Sequence, residues 1–219
     1  MKRMILFLAC VSVGFASYSD GFLTEGEYGW LVTWRSYDPP LIVDGGGAYE
    51  ISVRDNGRLI VKSTSKPLSA YHPVGGVYDI LLYNTAHLLY LDGVTELIRI
   101  TGNGTINSTA ELRGGSINWI NSMQYTATLG LGPHIDLYCL PGWSWLDGDP
   151  MKGIKGNWMD GSPFEIKFSN DPTYDPVWTN INVIIPEPAT LTLLGIGSLV
   201  LRRLRGCGRP AGERTCSRK

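Results

Sequence analysis

Gly46-Gly47-Ala48-Tyr49-Glu50-Ile51-Ser52-Val53-Arg54-Asp55-Asn56-Gly57-Arg58-Leu59-Ile60-Val61 and Gly75-Gly76-Val77-Tyr78-Asp79-Ile80-Leu81-Leu82-Tyr83-Asn84-Thr85-Ala86-His87-Leu88-Leu89-Tyr90 are two copies of one loose pattern. Apolar residues recur at offsets 0, 2, 8 and 10, as Ile51, Val53, Leu59 and Val61, then as Ile80, Leu82, Leu88 and Tyr90. A third copy runs through Ile98, Ile100 and Ile106, and a fourth through Ile117, Trp119, Tyr125 and Ala127. Starting positions 51, 80, 98 and 117 lie 29, 18 and 19 residues apart. Each copy is therefore two short strands of period two around a turn, and the chain is expected to be all-β.

Two architectures satisfy this pattern, and they differ in what the turn does. If it is a corner, each copy is one coil of a short parallel β-solenoid that stacks its inward residues on the next coil. The longer first spacing then holds a loop around Ser63 to Pro73. If the turn is tight, Asp55-Asn56-Gly57 makes a hairpin and the body is an antiparallel β-sandwich. The near-constant rung length and the recurring Gly-Gly favour the solenoid. After Gly130 the pattern stops, and Trp143, Trp145, Trp158 and Trp178 appear among Gly, Pro and Asp. This segment, residues 130–185, reads as a β-rich cap on the last coil.

Composition narrows what the body does. The 219 residues hold 43% hydrophobic and 18% charged residues with 27 Gly and 13 Pro, which excludes a disordered or coiled-coil chain. Between residues 17 and 185 there are 10 Lys/Arg against 18 Asp/Glu, about −8 overall. An acidic body repels phosphate backbones, so nucleic acid is not expected as a partner.

The basic residues missing from the middle lie at the ends. Met1-Lys2-Arg3, an apolar run to Val13 and Gly14-Phe15-Ala16 have the form of a secretory leader, residues 1–16, cut between Ala16 and Ser17. At the other end come Pro186-Glu187-Pro188, thirteen uncharged residues from Ala189 to Leu201, and Arg202-Arg203-Leu204-Arg205. A helix of that length rises about 20 Å, short of a permanent membrane span. Its arginines would stay on the cytoplasmic side, leaving residues 17–185 exported.

Residues 186–205 resemble the PEP-CTERM sorting signal, carried on Pro186, Glu187, Pro188, Arg202, Arg203 and Arg205. The resemblance implies export in a diderm bacterium, transient inner-membrane insertion of the carboxyl segment as a transmembrane helix, and processing by an exosortase. Delivery to the cell surface or extracellular matrix follows. Residues 206–219 add a basic tail beyond the point where members of that group usually stop. The expected processing partners are signal peptidase and the exosortase-like enzyme. After processing, Cys139 is the one cysteine left, so no internal disulfide framework is expected.

Chemistry is harder to find. His72, His87 and His134 are far apart and belong to no zinc or nucleophile motif, and no phosphate loop or dinucleotide fingerprint occurs. No cofactor or metal is expected, and no catalytic residue is assigned. Asp147, Asp149 and Asp160 fall near Trp143, Trp145 and Trp158, which are the candidate sugar-stacking residues for an extracellular polysaccharide. The favoured expectation is a non-catalytic structural or adhesive surface protein. A carbohydrate-binding module is the alternative, with a glycan-cleaving enzyme after it.

Overall fold

Alternation along stretches such as Leu41-Ile42-Val43 and Leu59-Ile60-Val61 sends every second side chain to one side of an extended backbone. A computed structural model of the chain describes residues 21–25, 27–35, 39–64, 76–102, 106–132 and 134–186. It is mostly β, in two largely parallel sheets. The first sheet holds, in spatial order, β1 (Phe22–Thr24), β3 (Leu41–Asp44), β5 (Arg58–Ser63), β7 (His87–Tyr90), β9 (Thr109–Leu112), β11 (Ile135–Tyr138) and β15 (Ile181–Ile184). The second runs from β2 (Tyr28–Trp34) through β4 (Gly47–Val53), β6 (Val77–Leu82), β8 (Val94–Thr101), β10 (Ser116–Met123) and β14 (Pro163–Phe168) to β13 (Gly153–Asn157) and β12 (Ser144–Trp145). Up to β12, successive strands fall in opposite sheets. Each strand from β1 to β9 pairs in parallel with the strand two places along the chain, whereas β10 is followed in its sheet by β14 and β11 by β15.

Register lines up the inward residues as rows. Leu23, Val43, Val61, Tyr90, Leu112 and Leu137 stand on neighbouring strands of the first sheet, all without exposure. Val32, Ile51, Ile80, Ile98, Ile120 and Phe168 do the same in the second, all buried. Each buried aliphatic side chain contributes about 1.5–3 kcal/mol against the entropy of ordering its strand.

Asp55-Asn56-Gly57 forms no hairpin, because β4 and β5 lie in different sheets and pair with other strands. The positive φ of 56° that Asp55 adopts serves a corner, and Asn84, with φ 57°, serves the next one. Asn84 Nδ2 donates to Asp55 Oδ1 at 3.0 Å, so the corners stack as the strands do. On the opposite side, Gly76 and Gly115 both have φ +79° at the turns into β6 and β10. A Cβ on Gly76 would lie 2.1 Å from the Val94 carbonyl. Only glycine fits there, which accounts for the recurrent Gly-Gly.

Two of the repeat copies are corrected. Ile106 is 40% exposed, and Ala110 and Leu112 fill its row instead. Ile117 pairs with Thr95, whereas Ile98 pairs with Ile120, so Trp119 points outward, 37% exposed. The reason is local: two successive side chains in β2, β4, β8 and β10 face outward, so inward residues on either side of them are three apart and the period-two count slips. Tyr125 is half-buried, and exposed Ala127 lies in the short helix α1 (Thr126–Leu129).

Residues 130–185 extend both sheets before turning back. β11, β15 and β14 continue them in parallel, and β13 and β12 then fold antiparallel on the outer edge of the second sheet. The leader, the apolar carboxyl segment, the tail and nearly all of the expected loop from Ser63 to Pro73 lie outside the described residues. Among the described residues, no helix is long and apolar enough to cross a membrane.

Candidate functional site

Of the sorting-signal residues only Pro186 falls within the described part of the chain, exposed two residues after β15. Glu187, Pro188, Arg202, Arg203 and Arg205 lie outside it, as do Ala16 and Ser17.

The three candidate stacking residues part company. Trp158 has no exposed surface; its Nε1 donates to the Gly115 carbonyl at 2.8 Å and its ring lies 4.3 Å from that of Phe164. No face of it is open to a sugar, so Trp158 belongs to the core. Trp143 and Trp145 are half-buried and meet edge to face at 5.1 Å. A shallow cleft of about 520 Å³ is lined by Gly142, Ser144, Lys155, Asn157, Phe164 and Glu165, and none of the three tryptophans is among its lining residues. The nearby carboxylates serve their own turns. Asp147 pairs with Lys152 at 3.2 Å, Asp149 accepts from the Met151 amide at 2.8 Å, and Asp160 accepts from the Ser162 amide and hydroxyl. Those Ser162 bonds hold the Asp160 carboxyl below its usual range.

A second group is invisible to sequence motifs and is built by register alone. On the outer face of the first sheet His87 stands beside Thr109, and Glu111 beside Asp136. His87 Nδ1 lies 2.8 Å from Thr109 Oγ1, and its Nε2 lies 3.7 Å from Glu111. Arg113 donates to Glu111 at 2.7 Å and covers the Tyr138 ring at 4.4 Å. Asn182 donates to Asp136 at 3.0 Å, and Asn107 Nδ2 lies 3.1 Å from His134 Nε2. Burial pushes both imidazoles below their usual pKa, opposed at His87 by Glu111, which favours the neutral form at pH 7. On this face Glu111 is paired with Arg113, and Asp136 is held by the neutral Asn182. Among the described residues no group of three metal-ligating side chains occurs.

The outer face of the second sheet is different again. Trp30 and Tyr49 stack at 4.6 Å with planes 8° apart, and Tyr49 and Tyr78 at 5.1 Å with planes 7° apart. Further along, Asn118 donates to Glu96 at 2.6 Å and Lys167 sits 5.6 Å from the Trp119 ring centre. Between them Asp79 is 4% exposed, paired with Arg99 at 2.7 Å through Oδ2. Its Oδ1 has no hydrogen-bond partner among the described residues. Burial, opposed by Arg99 and reinforced by Glu50, pushes its pKa up to about 6. Against known proteins, no family model, no curated protein and no solved structure matches this chain.

Proposed function

We propose that this chain is an exported cell-surface or extracellular-matrix protein with a non-catalytic structural or adhesive role, sorted through a carboxyl-terminal PEP-CTERM signal. In this reading signal peptidase removes residues 1–16, residues 189–201 insert transiently as an apolar helix, and an exosortase-like enzyme cuts near Pro186-Glu187-Pro188. The body is a short β-solenoid. The alternation of parallel-paired strands between two sheets supports that description, because a chain that winds in coils meets its own previous turn two strands later.

One observation carries the reading most directly. The last strand, β15, completes the first sheet at Ile184, and the Pro-Glu-Pro motif begins at Pro186. A recognition sequence that follows the fold so closely is reached without unfolding it. Replacing Arg202, Arg203 and Arg205 together by Gln is expected to abolish carboxyl-terminal processing, read as a change in intact mass of the recovered chain. Unchanged maturation overturns the sorting reading.

Carbohydrate binding is a second reading, favoured by the cleft that Lys155, Asn157 and Glu165 line, with half-buried Trp143 between its lining residues Gly142 and Ser144 in the chain. Retention on a polysaccharide column that Trp143→Ala abolishes, with the fold intact, is its expected signature. Equal retention of the two proteins sinks it.

A further inference from the structure

We propose that β2 is an association surface that takes β2 of a second copy of this chain, continuing the second sheet across an antiparallel strand pair. The proposal rests on removal of residues 1–16 at export.

β2 is the terminal strand of its sheet and, among the described residues, pairs with β4 alone. Its outer edge therefore presents a row of amide and carbonyl groups to whatever approaches. Edge strands that stay single are usually protected by charge, proline, a bulge or brevity. β2 has seven residues, Tyr28-Gly29-Trp30-Leu31-Val32-Thr33-Trp34, with no charged residue and no proline. Trp30 is 66% and Leu31 56% exposed, and Thr33 is exposed as well. No other described strand combines such length and neutrality with an edge position.

Two observations select a second copy as the occupant. The first is the aromatic row, whose rings repeat one strand apart at 4.6 and 5.1 Å in nearly parallel planes. The place beyond Trp30 belongs to the strand that pairs with β2, and a flat apolar ring fits it. A second β2 supplies that ring as its own Trp30. Charge agrees: the body carries an excess of acid, so two copies meet at least cost along a strand that has no charge. The second observation is chain length. A chain cut after Ala16 keeps four residues before Gly21, Ser17 to Asp20. Fully extended they reach about 14 Å, whereas a seven-residue strand spans about 23 Å. They also lead into β1, on the other sheet. Four residues are too few to pair along the whole of β2.

Sedimentation velocity on the chain beginning at Ser17 tests this, with Leu31→Lys and Thr33→Lys variants in the same background. The expected result is a species of two chains at micromolar concentration that falls to one chain in either variant, with unchanged far-UV circular dichroism and, at dilutions where the wild type is also single, unchanged melting. Raising salt strengthens the wild-type association, because it screens the like charges of the two bodies. Hydrogen exchange of the β2 amides, slow in the wild type, accelerates in the variants. A wild type that stays single through 100 μM overturns the proposal. Association unaltered by both lysines also overturns it, since the contact then lies elsewhere, as in the apolar carboxyl segment. Failure of the export reading shows separately, as a cell-derived chain whose mass still includes Met1.

Discussion

The two ends of the sheet pair are finished by opposite means. At the carboxyl end the second sheet turns back through the antiparallel strands β13 and β12, the last of them two residues long, and Trp158 plugs the turn side against Gly115. At the amino end β1 and β2 stop as parallel edge strands, and β2 leaves Trp30 and Leu31 in solvent. A short antiparallel return uses few residues, offers little edge to pair with, and brings its own side chains to cover the last row. A seven-residue neutral strand does the reverse. The difference teaches that stacked strands can be closed by their own chain or left to another, and that charge and length along the edge distinguish the two.

Four substitutions sharpen or break this contrast. Trp158→Ala at the closed end removes a fully buried ring and its hydrogen bond, so a loss of about 3–5 kcal/mol is expected in chemical denaturation. A cost below about 1 kcal/mol means that this end is not held as described. Next in size is Asp79. Its pKa of about 6 in the fold exceeds the ordinary 3.8, so its contribution is fully present below the ordinary value and is lost as pH rises through 6. Stability is expected to fall between pH 4.5 and 7.5 by more in the wild type than in Asp79→Asn, by at most about 2 kcal/mol, read from melts across that range. Parallel profiles for the two proteins would count against a buried, incompletely partnered carboxyl.

Gly115→Ala forces a side chain onto φ +79° and within 2.6 Å of the Gly93 carbonyl. A loss of about 1–3 kcal/mol follows, and the same melt checks it. Smallest is Trp30→Ala, which is expected to shift the melting of the dilute, single chain by no more than about 0.5 kcal/mol. A large loss there would show that the open end is as tightly packed as the closed one.

How much of this was readable in the sequence varies with the kind of information needed. Ile51, Val53, Leu59, Val61, Ile80, Leu82, Leu88, Tyr90, Ile98 and Ile100 were all identifiable as inward residues, and all have no exposure. Alternation is a local property, and it survives wherever strands are regular. In the fourth copy Ile117 is inward as expected but Trp119 is not, because paired outward residues break the alternation without changing composition. The rows containing Leu23, Val32, Trp34, Leu41 and Val43 escaped notice, since corners of unequal length hide their spacing. Asp55-Asn56-Gly57 announced a turn correctly but not its destination, because the same turn chemistry serves a hairpin or a corner. The His87, Glu111 and Asp136 face was least legible. Its members sit on strands whose mutual register depends on corner lengths, and no short motif encodes that. For Trp143, Trp145 and Trp158, sequence gave proximity but not which ring is buried.

Because β3 through β9 each pair with strands two places before and after them, the order of the rows in space follows the order of the chain in time. A polypeptide that emerges amino end first can lay each new strand on a template that is already complete, without waiting for distant residues. β15 breaks that sequence: it pairs with β11 only after β12, β13 and β14 have been placed in the other sheet. The last strand to dock is then the one joined to Pro186. Tension on the chain beyond that residue is felt first by the four residues of β15, whose pairing with β11 spans the longest stretch of chain in the first sheet.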